Sequence, residues 1–263
     1  MLASSGTLRL AVALCLLTLA PSLQAAESSG SPFRDCAQCP QMVRIPAGKL
    51  LLGTPKAIQV ASEVPAELSP VEVTVGRPFA LGRFEITRDE YTSFALDTGR
   101  MGQRVVCRTW VESVQGFRDL QITWDTPNLP EQPTGRHPAA CIDWHDARAY
   151  AQWLSARTGQ RYRLPTEVEW EYAAKAGTRT LLPWGKSSDQ GCQHANSNDQ
   201  TTADRYPLSW TVASCRDGFP DLAPVGSLKP NPFGLYDMIG NVWEWAEDCA
   251  SLTYVGRPID QSA

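Results

Sequence analysis

The sequence predicts an α+β fold with little regular secondary structure, and three observations predict it. Short alternating apolar stretches crowd the first third of the chain, two capping boxes mark short helices in its middle, and the last third mixes turn formers with tryptophan. Such a mixture argues against disorder, because disordered segments are poor in aromatics. An ordered domain braced by something other than a large sheet or a helix bundle is expected.

Residues 1 to 26 come first. Arg9 precedes an uncharged apolar run from Leu10 to Ala20, followed by Pro21 and the small residues Ala25 and Ala26. This pattern predicts a secretory signal peptide over 1–26. The run is shorter than the roughly 20 apolar residues a bilayer span needs. Cys15 follows the bulky Leu14, where a lipoprotein signal would carry a small residue, so no membrane anchor is expected. The mature protein is expected in the periplasm or outside the cell.

Residues 27–41 are rich in Ser, Gly, Pro and Cys and read as an exposed lead-in tied by Cys36 and Cys39; the main domain is expected over 42–263. Met42 to Leu52 alternates around Pro46 and Gly48, which fits short strands and turns. Val71 to Val75 alternates strictly, and Phe79 to Ile86 reads as a further strand. Thr87 with Glu90 forms a capping box, Tyr91, Phe94 and Ala95 follow at helical spacing, and Gly99 closes the helix. Gly102 to Pro138 shows no stable period and is expected to be an irregular surface excursion. Ala147, Tyr150, Ala151 and Leu154 share one face of a helix that Gly159 ends. Thr166 with Glu169 makes a second capping box, so a helix is expected over Glu167 to Ala176. Beyond Thr178 few regular elements are expected.

The formal charge of −4 offers no basic footprint for nucleic acid or an anionic membrane. Of eight cysteines, Cys15 lies in the leader, which leaves an odd number for the mature chain. In an oxidising compartment most should be in disulfides. Cys36 and Cys39 could form half a zinc site or a redox pair, but no second ligand pair exists at matching spacing, and a local disulfide is favoured. No Gly-x-Ser-x-Gly elbow occurs, and Gly185 to Ser187 lacks the first glycine of a phosphate-binding loop. Glu167, Glu169 and Glu171 read as a charged helix face in which Glu171 pairs with Lys175, rather than as acid-base catalysts.

Asn196 to Asp199 and Asp237 to Glu244 place oxygen donors in turn-forming sequence, which suits calcium, a hard cation that takes about six to eight oxygens. Neither stretch matches an EF-hand loop, and on spacing alone surface solvation is the better account of them.

Five segments, in order, carry a resemblance. They are Met42 to Gly48 (MVRIPAG), Phe84 to Tyr91 (FEITRDEY), His137 to Trp144 (HPAACIDW), Arg161 to Ala173 (RYRLPTEVEWEYA) and Gly234 to Trp245 (GLYDMIGNVWEW). Together they resemble the formylglycine-generating enzyme, or sulfatase-modifying factor, family. The resemblance implies a single formylglycine-generating-enzyme domain, related to C-type lectins, with two calcium ions. By position, the first ion would take Asn196 and Asp217 by side chain and Ser197 and Phe219 by carbonyl. The second would take Asp237 and Glu244 by side chain and Gly240 and Val242 by carbonyl. Asp237 stands where some relatives carry Asn, which keeps an oxygen ligand and adds charge.

Family enzymes oxidise a cysteine of a sulfatase to formylglycine with oxygen and a copper ion held by two cysteines, soft ligands that suit Cu(I). In the family these follow the Gly-Asn-Val-Trp-Glu-Trp segment, and this chain reaches Ala263 without them. The domain is therefore expected to lack its C-terminal part, and residues 1–263 to lack formylglycine-generating activity. Pairing in sequence order would join Cys36 to Cys39, Cys107 to Cys141 and Cys192 to Cys215, with Cys249 left over; connectivity is not fixed by sequence. The resemblance points to an oxidase-type maturation factor for a protein or peptide, expected as a monomer. Relatives with a similar lead-in offer a rival, a periplasmic accessory protein of nitrite reductase or siderophore maturation. A lectin-like binding module is a third reading that fold alone does not license.

Overall fold

The alternation in the first third of the chain becomes four short strands. In a computed structural model that describes residues 31–53, 71–130, 132–180, 182–185, 187–249 and 260–262, these are β1 (Met42–Ile45), β2 (Gly48–Leu52), β3 (Val71–Val75) and β4 (Phe79–Gly82). The expected signal peptide lies outside the described residues. Among those residues, no helix is long and apolar enough to cross a membrane.

β1 pairs with β4, Met42 opposite Gly82, and β2 pairs with β3, Gly48 opposite Val75; both pairs are antiparallel and two-stranded. Strand side chains alternate between faces, so Val43, Ile45, Leu50, Leu52, Val73 and Val75 all point inward. β4 stops before the expected Ile86 because the next backbone groups bond elsewhere. The Arg83 carbonyl accepts from the Tyr236 amide at 3.0 Å, and the Ile86 carbonyl from Ala139 at 2.8 Å.

Helix α1 (Arg88–Thr98) begins at Thr87, whose capping box with Glu90 is fully formed, and ends on Gly99 at φ 71°, a left-handed conformation glycine adopts freely. Helix α2 (Trp144–Thr158) starts ahead of the expected Ala147, because Asp143 caps it by accepting from the Asp146 amide. Their apolar faces meet in an aromatic core of Tyr91, Phe94, Trp124, Tyr150 and Leu154, with Tyr91 and Tyr150 stacked at 5.9 Å. Cys39 joins this core at 1% exposure, so the lead-in, exposed up to Gln38, is anchored at its end.

The stretch Gly102 to Pro138 corrects the expectation of irregular structure. It holds an antiparallel hairpin, β5 (Arg104–Val111) and β6 (Gly116–Thr123), turned by a 3₁₀ segment at Glu112–Val114. The hairpin gives no clean period because only Val105 and Thr109 of β5 are buried and no residue of β6 is. Cross-strand contacts hold it instead, including Trp110 against Phe117 at 5.4 Å.

Helix α3 (Glu167–Lys175) carries the second complete capping box and closes with Ala176 in the left-handed region. Its Val168, Tyr172, Ala173 and Ala174 pack on the inner faces of β1 to β3 in a second core that also takes Leu235 and Met238. Lys175 meets Glu171 at 2.5 Å and reaches the Leu51 carbonyl at 2.8 Å, as expected, but Glu169 is 1% exposed and paired with Arg163, so it does not belong to a charged helix face. Among the described residues after Thr178, regular structure is limited to a 3₁₀ segment, Ser188–Gln193, and a short helix, α4 (Gln200–Arg205). Disulfides join Cys36 to Cys39, Cys107 to Cys141 and Cys192 to Cys215, and Cys249 is exposed outside these pairs.

Candidate functional site

The tryptophan-rich segment is fixed at its start by Asn231. The Asn231 carboxamide oxygen accepts from the amides of Phe233 at 3.0 Å and Leu235 at 3.2 Å, and its nitrogen donates to the Ala173 carbonyl at 2.7 Å. Leu235 and Met238 then drop into the α3 core. Three indoles pin the far end: Trp144 donates to the Ala246 carbonyl at 2.9 Å, Trp245 to Ile142 at 3.0 Å, and Trp170 to the Glu244 carboxylate at 2.7 Å. Between these anchors the backbone is left-handed at Asp237 (φ 56°), Gly240 (φ 87°) and Asn241 (φ 56°). Such conformations persist where surrounding contacts over-determine them, often at ligand clamps.

The four residues expected at the first calcium position come together around Asp217. Its carboxylate accepts from the Ser197 amide at 3.0 Å and the Phe219 amide at 2.7 Å, so the two strands of loop that would offer carbonyls are held side by side. Asn196 is buried beside them and donates to the Asp221 carbonyl at 2.6 Å. Burial, opposed by those two amides, raises the Asp217 carboxyl above its ordinary value, and the nearby Asp199 charge adds to the rise.

In the second quartet, Asp237 and Glu244 lie near enough for their charges to interact. Asp237 is 4% exposed and accepts from the Gly226 amide at 2.7 Å. Glu244 is exposed by area and accepts from the Trp170 indole, which opposes the rise in its pKa that surrounding protein atoms and then the Asp237 charge produce. Gly240 and Val242 lie between them in sequence. Sequence reasoning missed a third carboxylate, Glu85, because its segment signals only the start of α1. Glu85 is 8% exposed and accepts from the Asn241 side chain at 2.7 Å and from the Val242 amide at 3.2 Å. Burial, then the charges of Glu244 and Asp237, pushes Glu85 up to about 9. Among the described residues, none of Glu85, Asp217, Asp237 and Glu244 sits in a salt bridge.

The donor chemistry fits a hard cation. Among the described residues no basic side chain forms a salt bridge with these carboxylates, and each carboxylate oxygen that accepts one amide retains a second lone pair. Among the described residues no three His, Cys, Asp or Glu side chains gather tightly enough to hold a metal by themselves. Each quartet, however, combines two side chains with two backbone carbonyls, a mixture that suits calcium and needs no such cluster. A cavity of about 290 Å³ opens on Asp237, walled by Trp184, His194, Lys229 and Met238, and connects this side of the segment to solvent. Burial and then the Lys229 charge lower the His194 pKa below its ordinary value. A two-thiolate copper centre does not fit, since six of the described cysteines are consumed in disulfides.

The two quartets touch. The Asn241 amide donates to the Asn196 carbonyl at 2.8 Å, and the Asn196 side chain donates to the Asn241 carboxamide oxygen at 3.1 Å.

The sequence profile of the sulfatase-modifying factor enzyme 1-like domain matches residues 28–261. The formylglycine-generating enzyme of Mus musculus is 32% identical over 238 residues, covering 79% of this chain, and the chain spans 58% of that protein's length. The inactive C-alpha-formylglycine-generating enzyme 2 of Mus musculus is 31% identical over 233 residues, covering 80% of this chain and 69% of that protein. The solved structure of PvdO from Pseudomonas aeruginosa shares 36% identity at a TM-score of 0.71, covering 90% of this chain and 82% of that one. With the profile running across both cores and both loop quartets, the chain belongs to the sulfatase-modifying factor, or formylglycine-generating enzyme, family.

Proposed function

We propose that this chain is an exported maturation factor of the formylglycine-generating enzyme family, acting on a protein or peptide, and that residues 1–263 do not themselves generate formylglycine. The observation that carries the second half is the cysteine distribution. Six cysteines are locked in three disulfides, which leaves Cys249 outside the pairs where family chemistry calls for two thiolates. Disulfides form and persist in oxidising compartments, which supports export together with the apolar leader.

Calcium belongs to this reading as a structural ion at two places, Asn196, Ser197, Asp217 and Phe219 for one, and Asp237, Gly240, Val242 and Glu244 for the other. When bound, it supplies positive charge beside these carboxylates and ties together loops that lie outside the sheets. Asp217 orients the first set through the Ser197 and Phe219 amides, and Trp170 holds the Glu244 carboxylate in place.

A second reading, a periplasmic accessory protein without formylglycine chemistry, is favoured by the 31% identity to a relative named as an inactive C-alpha-formylglycine-generating enzyme. Incubating the purified chain with copper(I), oxygen and a peptide carrying a sulfatase cysteine motif tests the proposal. No aldehyde should form. Appearance of formylglycine by mass spectrometry overturns the inactive assignment, and a sulfatase gene beside this one favours the first reading over a reductase or siderophore cluster.

A further inference from the structure

We infer that Asn241, held by Glu85, couples the two calcium loops, so that filling one prepares the other. This rests on the calcium reading above. The Asn241 side chain and backbone amide are fully engaged at the junction. Its amide donates to the Asn196 carbonyl at 2.8 Å, and its carboxamide oxygen accepts from Asn196 at 3.1 Å and from the Ala223 amide at 2.9 Å. Its carboxamide nitrogen donates to Glu85 at 2.7 Å and to the Ala223 carbonyl at 3.2 Å. The second oxygen of Glu85 takes the Val242 amide at 3.2 Å, and Gly240 lies flat against Asn196.

The Asn241 side chain therefore meets Asn196 of the first loop directly and reaches Val242 of the second through Glu85. The two loops share no sheet or helix, and this junction is where they meet. An ion that orders one loop also orders Asn241, and the other loop then binds from an already ordered state. Coupling of this kind is reciprocal: whatever the first ion does to the second site, the second does to the first. Glu85 acts through Asn241 and Val242 and is a positioning residue.

The test is calorimetric titration of calcium chloride into the chelator-stripped full chain, with circular dichroism confirming that each variant is folded. Asp217→Asn disables the first loop alone. It should weaken the remaining site by about tenfold when Asn241 is present, within the usual range of coupling between sites. In an Asn241→Ala background the same change should leave the remaining affinity unaltered. Glu85→Gln, which keeps the side chain's size, should reduce the coupling and serves if Asn241→Ala fails to fold. If Asp217→Asn leaves the other site's affinity unchanged in the native background, coupling is overturned while calcium binding stands. A flat isotherm for the native chain at millimolar calcium overturns both.

Discussion

Gly240 lies against Asn196 so closely that a Cβ on Gly240 would meet the Asn196 carbonyl oxygen at 2.1 Å and its carbonyl carbon at 3.0 Å. The obstacle is backbone, which cannot swing aside as a flexible side chain can. The φ of 87° adds strain for any residue with a Cβ. Gly240→Ala is therefore expected to lower stability by about 2 kcal/mol or more, at the upper end of ordinary single substitutions. Denaturant unfolding measures it, and an unchanged midpoint would show that the two loops do not meet as described.

Arg163 holds Glu169 through two hydrogen bonds of 2.7 Å, and the Thr166 amide donates to the same carboxylate at 3.0 Å. Burial would raise the Glu169 pKa, but these partners together hold it below its ordinary 4.5. A carboxyl depressed in the folded state contributes stability that is present above pH 4.5 and is lost as pH falls through the lower, folded value. Glu169→Gln should cost about 1 to 3 kcal/mol at pH 7, less than a fully enclosed pair because the Arg163 side chain is 36% exposed. It should also flatten the acid limb of the stability curve below that pH, which chemical unfolding across pH 3 to 7 would reveal.

Removing calcium should loosen the chain beyond Thr178 first. At calcium concentrations about a hundred times the dissociation constant, a bound ion adds about 2.7 kcal/mol, which corresponds to roughly 5 to 10 °C in Tm for a domain of this size. Differential scanning calorimetry with and without a chelator reads the shift, and magnesium should substitute poorly because it demands a more rigid octahedral site. A Tm indifferent to chelation removes the calcium assignment.

The Cys107–Cys141 disulfide ties the hairpin to the loop that leads into α2 across 34 residues. With so little of β5 and β6 buried, the hairpin depends on that tie more than a core strand would. Replacing both cysteines with serine should cost about 2 to 4 kcal/mol, the usual worth of a bridge of this length. Proteolysis of the oxidised and doubly substituted chains should show new cleavage between Arg104 and Thr123 only in the latter.

The helices were legible because their boundaries are written locally. Thr87 with Glu90 and Thr166 with Glu169 satisfy orphan amides within one turn, so the signal and the structure lie within the same few residues. β1 to β3 were legible because one face of each is buried, which forces alternation. The hairpin was not, since β5 buries only Val105 and Thr109 and β6 buries no residue, which leaves too little of the pattern to read. Of the candidate site, the residue types and their grouping came through the family resemblance, while Glu85 did not. Its role depends on Asn241 and Val242, and nothing near residue 85 in the sequence marks that partnership.

Glu85 and Asn241 are separated by 156 residues along the chain, and Trp144 and Ala246 by 102. Contacts of such range reward folding only after a long loop has closed, which makes assembly slow. These contacts join the Glu85 and Trp144 segments to the tryptophan-rich segment late in the chain. Until the segment around Asn241 arrives, the aromatic core can form, yet Glu85 has neither of its amide donors and the strand pairs have no Leu235 or Met238 to seal them. An N-terminal half made alone would be an open vessel, prone to self-association, and the tryptophan-rich segment is the lid whose arrival ends that exposure.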